Sequence, residues 1–577
     1  MSRNSPSSRT GDVPGLRRSR YLLPWAGLGL ATLVAGACGP GVEVAVWPVD
    51  SLEKVFPDTP PGAAGPARVR AARNEYVNAQ LAVRAGQQVE ELNVEASPPR
   101  LGERTLPCTV RWADYVSVRS NPPKTPPEEL VRPAPGPFPD PLRESFPFSL
   151  KAGETHAIWV TVFVPAETPP GPYSASVKIL SASRTVQETP LEVTVTEAAV
   201  PAEPSLRVTN WFSLNDGNLG RFYNTEEYSD AYWNVIANLA RVMAEHRQSV
   251  ILTPVVALAQ PSYRDGKVVY DFSRLDRWVR TFDEAGVNGL IEGGHLLGRR
   301  SGYDTPVVVP SWFPEYGKFL KEPLAPEDPR VRQFMEGFLP ALYSHIGQRG
   351  WKDRYIQHVL DEPHGDEPAI YERYARLIRR HMPGIRTVDA IDLSDDLPFM
   401  DKYLDIWVPV LGRFDDRLEA IRAHQARGGE VWFYTCVFPQ GAYLNRFIDQ
   451  SLLKVRLLHW FNFRHQLTGY LHWGGNYWTD QPFDDVQKII NDGKLLLPAG
   501  DNAIVYPQPT KSSVLSSIRL EAMRDGIEDY ELLRALEARD PAKAAALAAE
   551  AIPQITDYVR DVKVFRGLHE RLLGAWE

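Results

Sequence analysis

Two different hydrophobic periodicities divide the chain at a short proline-rich linker. Before the linker, apolar and polar residues alternate in short runs, such as 157–164, 173–179 and 191–195, and Pro/Gly turns separate the runs. Period-2 runs of this kind predict an antiparallel β-sandwich over residues 42–197. Residues 121–140 contain eight prolines, so we expect an extended loop there.

After the linker at residues 200–204, strand-like and helix-like patterns alternate. The strand candidates are residues 206–214, 249–256, 288–295, 355–362, 386–392, 405–410, 430–436 and 469–475. Helical patterns lie between most of them, at 228–245, 272–285, 328–348, 366–381, 414–427 and 447–466. Eight such alternations predict an α/β fold, a (β/α)₈ TIM-like barrel, over residues 205–496. A doubly wound open sheet is less favoured, because no Gly-rich phosphate turn follows the first strand.

Two regions lie outside this alternation. The interval between the fifth and sixth strand candidates is short for a full helix, so we expect an irregular barrel there. Residues 497–577 are helical in pattern, at 517–534, 541–551 and 553–573, and we interpret them as a helical cap on the barrel.

The pattern of residues 1–37 is that of an export signal. Basic residues precede an apolar run from Tyr21 to Gly36, which is too short to span a bilayer, and small residues then lead to Cys38. The placement of Cys38 resembles a bacterial lipobox, although Ala35 replaces the usual leucine. This resemblance implies cleavage before Cys38, lipidation of its thiol and a lipid-anchored protein of the cell envelope, at the outer membrane or cell surface. An ordinary signal peptide or an uncleaved anchor is the alternative.

Composition narrows the possible functions. The 577 residues include 64 basic and 72 acidic side chains, a formal net charge of −8, which argues against nucleic acid as a partner. A hydrophobic content of 43% excludes wholesale disorder. Three cysteines exclude a disulfide scaffold and a cysteine-rich zinc module.

Candidate chemistry is expected where barrel strands end at their carboxyl side. The fourth strand candidate ends with two neighbouring carboxylates, Asp361 and Glu362, followed by Pro363. Successive residues of a regular strand point to opposite faces, so both carboxylates reach one site only if the strand bends there.

Aromatic and amide side chains at other strand ends suggest a carbohydrate site. Aromatic rings stack on the apolar faces of sugars, and amides bind hydroxyl groups, although any single Trp could equally serve the core. The predicted substrate-binding set is Asn210, Trp211, His295, Trp407, Trp432, Tyr434, Trp473 and Asn476.

The arrangement of carboxylates favours one type of glycosidase. Most glycosidases use two carboxylates that flank the scissile bond, but the seventh strand candidate ends Tyr434-Thr435-Cys436, without a carboxylate. An adjacent pair suits the substrate-assisted exception, in which the 2-acetamido oxygen of the sugar attacks the anomeric carbon. Glu362 would then be the acid/base and Asp361 the partner of the amide.

Two alternatives remain open at this stage. One is a glycosidase on another sugar that pairs Glu362 with Glu292 or Asp392. The other is a non-catalytic, surface glycan-binding lipoprotein.

The sequence does not predict a metal site. The residues His358, Asp361, His364 and Asp366 match no standard ligand spacing, so we predict neither a metal nor a cofactor.

Four segments resemble glycoside hydrolase family 123. They are Asp361–Pro363, residues 469–478, the segment from Asp501 to Tyr506 that ends at Pro507, and the signature segment 517–533. The resemblance covers about residues 205–535 and more loosely the β region. It implies an exo-acting β-N-acetylgalactosaminidase that retains configuration through substrate assistance, with Asp361 and Glu362 in the roles above. The residues alone leave GalNAc and GlcNAc both open. We expect a structural role for the helix at 517–533.

Overall fold

Two β-sheets face each other in the N-terminal part of the computed structural model, which describes residues 43–392, 401–491 and 493–577. The first sheet has the strand order Val44–Val49, Glu75–Ala85, Thr155–Val164, Cys108–Val118 and Gly136–Arg143. The second has the order Ala67–Arg73, Arg184–Ala199, Gly171–Ser181, Val89–Ala96 and Phe148–Leu150, with Arg100–Leu101 and Arg104–Thr105 at its side. Apolar side chains from both sheets form one core. The pairing is antiparallel except between Ala67–Arg73 and Arg184–Ala199, which run parallel.

The proline-rich stretch ends in a strand, and the expected loop is wrong for that part. Pro127–Glu129 forms a 3₁₀ turn, and Gly136–Arg143 pairs with Cys108–Val118 at the edge of the first sheet. An edge strand needs ladder partners on one side alone, so it tolerates prolines that lack an N–H group.

An eight-stranded parallel sheet follows and closes almost completely into a TIM-like barrel. Its strands are Arg207–Asn210, Val250–Thr253, Leu290–Gly293, Tyr355–Gln357, Arg386–Ile391, Ile406–Pro409, Glu430–Tyr434 and Gly469–His472. From the second strand to the eighth, each pairs with its sequence neighbours, and the first strand pairs with the eighth. The first and second strands are linked by a hydrogen bond of 3.3 Å from the Ser249 amide to the Val208 carbonyl. All eight predicted strands are confirmed, each shorter than its apolar run.

Helices alternate with these strands as predicted. They are Asp230–Glu245, Ser273–Ala285, Pro329–Gln348, Glu367–His381, Phe414–Ala426 and Leu452–Arg464. The first of them begins after Ser229, whose side chain accepts a hydrogen bond from the Tyr232 amide as an N-cap. The irregularity expected between the fifth and sixth strands falls on residues 393–400, which lie outside the described residues.

Short elements between the strands and helices extend the barrel loops. They are the hairpin Gln260–Arg264 with Lys267–Asp271, the three-stranded sheet of Gly298–Arg299, Val307–Glu315 and Lys318–Leu324, the pairs Ile489–Ile490 with Leu495–Leu496 and Tyr506–Gln508 with Ser513–Leu515, and the short helices Arg221–Tyr223 and Val255–Leu258.

The C-terminal helices do not support the predicted cap. They are Ile518–Glu537, Pro541–Ala551 and Val562–Leu573, and the last begins nine residues after the position expected. Ile518–Glu537 packs along Leu452–Arg464 of the barrel and against strands of the first sheet. This helix therefore lies between the barrel and the sandwich.

Most charged side chains of Ile518–Glu537 are buried, and they pair with both neighbours. Arg519 binds Asp140 of the sandwich edge strand through two hydrogen bonds of 2.8 and 2.7 Å. Asp529 accepts two hydrogen bonds, of 2.7 and 2.8 Å, from Arg456 of the last barrel helix. The expected structural role of this segment agrees with these contacts.

Within the described residues, none of the helices has the length and apolar character that a bilayer crossing requires. The predicted signal segment and Cys38 lie outside the described residues.

The Asp140–Arg519 pair predicts a large stability effect. Replacing Asp140 with Ala leaves the buried Arg519 guanidinium without its carboxylate, and we expect the free energy of unfolding to fall by about 3–5 kcal/mol. Urea denaturation followed by tryptophan fluorescence measures it. The matched control is Arg68→Ala, which breaks an exposed pair with Glu192 and should cost no more than about 1 kcal/mol. Equal losses in the two variants would contradict the assignment.

Candidate active site

Asp361 and Glu362 lie on a bend that follows the fourth barrel strand. That strand ends at Gln357, and Glu362 has a φ of +43°, in the left-handed region that non-glycine residues rarely occupy. Such a conformation costs on the order of 1–3 kcal/mol and persists where the surroundings hold it. Because the chain is no longer a regular strand here, the alternation that would separate the two carboxylates does not apply.

The neighbouring fifth strand holds this bend at both ends. The Glu362 amide donates to the Ala390 carbonyl at 3.1 Å. The Val359 amide donates to the Asp389 carboxylate at 3.0 Å. Two consecutive residues of one strand thus fix the backbone on either side of Asp361.

Arg299 supports the bend from the loop after the third strand. Its guanidinium donates to the Glu362 carbonyl at 3.0 Å and forms an ion pair with Glu367 at 2.6 Å. The guanidinium also lies over the Tyr303 ring, which stacks on His364 at a centroid distance of 4.2 Å. No sequence motif marks Arg299 or Tyr303, so the sequence did not predict them.

Asp361 and Glu362 both have raised pKa values. Burial, followed by the charges of Glu362 and Asp389, raises the pKa of Asp361 to about 7. Burial also raises the pKa of Glu362; a hydrogen bond from the Tyr434 hydroxyl lowers it in part, and the charge of Asp392 raises it again. A raised pKa favours the protonated form of a carboxylic acid, which can donate a proton to a leaving group.

A buried imidazole between two carboxylates lies beneath the bend. The His358 ring contacts Glu292 through Nε2 at 2.6 Å and Asp389 through Nδ1 at 2.9 Å. Burial lowers the pKa of His358, but these two hydrogen bonds raise it to about 10. Glu292 also accepts from the Thr209 hydroxyl at 2.7 Å and from the Trp211 indole at 3.0 Å. His358 is therefore an imidazolium at neutral pH.

Ligand-type atoms of His295, His358 and Asp389 lie within 4.8 Å of one another, as they would around a metal ion. Both nitrogens of His358 face carboxylates, and an imidazolium has no lone pair for a metal. Burial and the His358 charge also depress the pKa of His295. We therefore describe these residues as a charge network.

Several of the predicted substrate-binding residues lie at this site or beside it. Tyr434 contacts Glu362, and Trp211 contacts Glu292 and lies edge-on to His295 at a centroid distance of 5.2 Å. Trp473, at the end of the eighth strand, is partly exposed and packs edge-on against Tyr477.

The two predicted asparagines are occupied by contacts within the protein. Asn210 is buried, and its side-chain oxygen accepts from Arg446 at 2.7 Å. Asn476 is buried and exchanges two hydrogen bonds with the Ser213 backbone, at 2.7 and 3.2 Å. Both amides fix neighbouring loops, which differs from the hydroxyl-binding role expected of them.

The two remaining tryptophans are enclosed by protein. Trp432 is fully buried among apolar residues of the barrel interior, and its indole donates to Glu430 at 2.9 Å. Trp407 is also buried and stacks on His424 at a centroid distance of 4.0 Å. Neither ring leaves a face open to a sugar, so we assign both a packing role in place of the predicted stacking role.

Glu292 and Asp392, the two alternative partners of Glu362, differ in whether a substrate can reach them. Glu292 is fully buried and engaged by His358, Thr209 and Trp211. Asp392 is half-exposed, 3.4 Å from Arg413, and its charge acts on Glu362. Of the two, Asp392 is the one free to meet a substrate.

Comparison with known proteins gives consistent matches. A family model described as glycoside hydrolase 123, catalytic domain, matches residues 211–536, more than half of the chain. A second, the glycoside hydrolase 123 N-terminal domain, matches residues 63–181. No significant match was found among curated protein sequences.

A solved structure shares the fold of this chain. A family 123 glycoside hydrolase from Clostridium perfringens, studied for glycolipid glycan hydrolysis, superposes with a TM-score of 0.70 at 15% identity, over 92% of this chain and 96% of that one. A family 39 glycoside hydrolase from Bacteroides cellulosilyticus gives a TM-score of 0.34 at 11% identity, over 76% and 80% of the two chains. A family 5 mannosidase from Rhizomucor miehei gives 0.32 at 11%, over 58% and 95%. The last two scores are too low to support an argument.

The two kinds of tryptophan predict different responses to truncation. Trp432→Ala removes a fully buried ring from the barrel interior and should lower the free energy of unfolding by about 3–5 kcal/mol. Trp473→Ala removes a partly exposed ring and should cost distinctly less. Chemical denaturation of both variants measures the difference, and a larger loss for Trp473→Ala would contradict these placements.

Proposed function

The chain belongs to glycoside hydrolase family 123 and is a glycoside hydrolase, and on that premise we propose that it is an exo-acting β-N-acetylhexosaminidase, specifically a β-N-acetylgalactosaminidase. The observation that carries this proposal is the left-handed backbone at Glu362, which frees the neighbouring carboxylates Asp361 and Glu362 from the alternation of a regular strand. Two carboxylates on the same side of a substrate suit catalysis in which the sugar supplies its own nucleophile.

The proposed reaction retains configuration in two steps. Glu362, protonated, donates its proton to the glycosidic oxygen while the 2-acetamido oxygen attacks the anomeric carbon and the glycosidic bond breaks. Asp361 accepts a hydrogen bond from the acetamido N–H and balances the positive charge of the oxazolinium-like intermediate. Glu362, now a carboxylate, then takes a proton from the water that attacks the anomeric carbon and reopens the ring.

The electrostatics act on both carboxylates. The raised pKa of Glu362 favours the proton-donating form that the first step needs. Burial and the charges of Glu362 and Asp389 raise the pKa of Asp361 to about 7, and the charges of His358 and Arg299 oppose that rise. An acetamido N–H directed at Asp361 would favour its carboxylate further, because a hydrogen bond to the charged form stabilises that form.

A second candidate is a glycosidase that pairs Glu362 with Asp392 on a different sugar. The half-exposed position of Asp392 and its effect on Glu362 favour it over Glu292 as such a partner. It would not need an acetamido group on the substrate, and this difference separates the two candidates.

The choice of GalNAc rests on family membership. The similar Clostridium perfringens enzyme was studied for glycolipid glycan hydrolysis, and we extend glycans as a substrate class to this chain. We also propose that Cys38 carries a lipid anchor that holds the enzyme at the cell envelope, on the strength of the basic, apolar and small-residue order that precedes it.

Aryl glycosides test the catalytic proposal. The wild-type protein should release nitrophenol from a β-GalNAc glycoside and should leave the β-galactoside intact, because the latter lacks the acetamido nucleophile. Asp361→Asn and Glu362→Gln should each lower kcat by on the order of 100-fold or more. The matched control is Asp366→Asn, the same chemical change at an exposed position four residues from Glu362, which should retain full activity. Cleavage of the β-galactoside would favour the Asp392 candidate and contradict the acetamido mechanism.

The anchor makes a separate prediction. Expression of the full chain with Cys38→Ser should abolish incorporation of labelled fatty acid and move the protein from the membrane fraction to the soluble fraction. Cys108→Ser serves as the control, since Cys108 lies within the described fold. Continued labelling of the Cys38→Ser protein would exclude Cys38 as the lipid attachment site.

A further inference from the structure

We propose that Glu292, His358 and Asp389 are positioning residues, which hold the Asp361–Glu362 bend in the geometry that acetamido-assisted catalysis requires. This inference rests on the proposed function. None of the three carries the reaction itself, because their side chains are fully buried and engaged with one another.

The first argument is mechanical. Glu362 holds a left-handed conformation that it would leave without support. The support at the start of the bend is Asp389, whose two oxygens bind the His358 ring and the Val359 amide. The Tyr371 hydroxyl donates to the same carboxylate at 2.7 Å. Asp389 therefore binds three groups, two of which belong to residues shortly before Asp361.

The second argument is that His358 fixes the third strand relative to the fourth and fifth. Its ring joins Glu292 of the third strand to Asp389 of the fifth, while His358 itself follows the fourth. Hydrogen bonds between charged partners in a buried site are short and directional, so three adjacent strands are held in one register at the barrel mouth.

The third argument is electrostatic. The charged groups that act on Asp361 are Glu362 and Asp389, which disfavour its ionised form, and His358 and Arg299, which favour it. The imidazolium thus opposes the two neighbouring carboxylates. Its removal would raise the pKa of Asp361 further, so a larger share of Asp361 would be protonated at a given pH.

The test compares pH profiles of four variants with the wild-type protein. In His358→Gln, kcat for the aryl β-GalNAc glycoside should fall by on the order of 100-fold with little change in KM, because misplaced catalytic groups affect the reacting complex. The acidic limb of the profile should move to higher pH, since Asp361 must be ionised to accept the acetamido N–H. Glu292→Gln keeps a hydrogen-bond acceptor for His358 and leaves Asp389 as the charge partner of the imidazolium, so it should lower kcat less and leave the acidic limb near its wild-type position. Asp389→Asn should lower kcat strongly.

The control is His459→Gln, which removes another fully buried histidine, one that binds Asn462 on a barrel helix. Burial lowers the pKa of His459 to about 4, so this change removes no charge at neutral pH, and the profile should stay as in the wild type. Circular dichroism establishes that each variant folds. If His358→Gln fails to fold, Glu292→Gln carries the test through a lowered kcat at unchanged KM.

The outcomes separate the two proposals. If the wild type cleaves the acetamido glycoside and the folded His358→Gln and Glu292→Gln variants keep its kcat and pH profile, the positioning role is overturned and the proposed function stands. If the wild type cleaves no acetamido glycoside, both are overturned. Loss of stability in all variants without a shift of the acidic limb would assign the network to folding alone.

Discussion

The burial of charge on the helix Ile518–Glu537 constrains the rest of the molecule. A buried charge is tolerated where a partner of opposite charge and good geometry meets it. Arg519 finds its partner in the sandwich, and Asp529 finds its partner on the last barrel helix. Because the partners lie on different structural elements, these two buried charges are both paired when the sandwich and the barrel both contact the helix. The two regions therefore form one body around the helix.

The same constraint acts at the barrel mouth on a smaller scale. His358 carries a charge in a site that excludes water, and two carboxylates from other strands meet it. Asp389 uses its remaining capacity to bind the backbone ahead of Asp361. The strained residue Glu362 is held by backbone hydrogen bonds and by Arg299. Charge pairing thus provides the stiffness that an unfavourable backbone conformation needs.

Sequence patterns predicted the barrel well because its strands and helices follow local periodicity. The eight strand candidates and the helices between them are found within a few residues of the predicted ranges. The predicted loop was wrong for Gly136–Arg143, because a strand at the edge of a sheet tolerates the prolines of this segment. The sequence pattern also predicted the C-terminal helices but not their packing partners, because periodicity does not say which surface a helix covers.

Part of the candidate site could be predicted from the sequence, and part could not. Asp361 and Glu362 could be singled out because their adjacency at a strand end is visible in the sequence. Trp407 and Trp432 could not be separated from Trp473, since burial depends on neighbours from distant segments. Arg299, Glu292 and Asp389 come from three different strands or loops, so their convergence on the bend has no local signature.

The bend at Asp361 and Glu362 is a feature that the sequence could not predict and that the proposed chemistry needs. Two adjacent carboxylates in a regular strand would face opposite sides and could not serve one sugar. The left-handed Glu362 removes that restriction, at a cost that the surrounding hydrogen bonds offset. In the proposed mechanism the carboxylate pair faces one side of the sugar, and at the end of the seventh strand Tyr434 contacts Glu362 where other glycosidases place a second carboxylate. A substrate that carries its own nucleophile is the natural complement to such a site, so the backbone geometry and the proposed acetamido chemistry depend on each other.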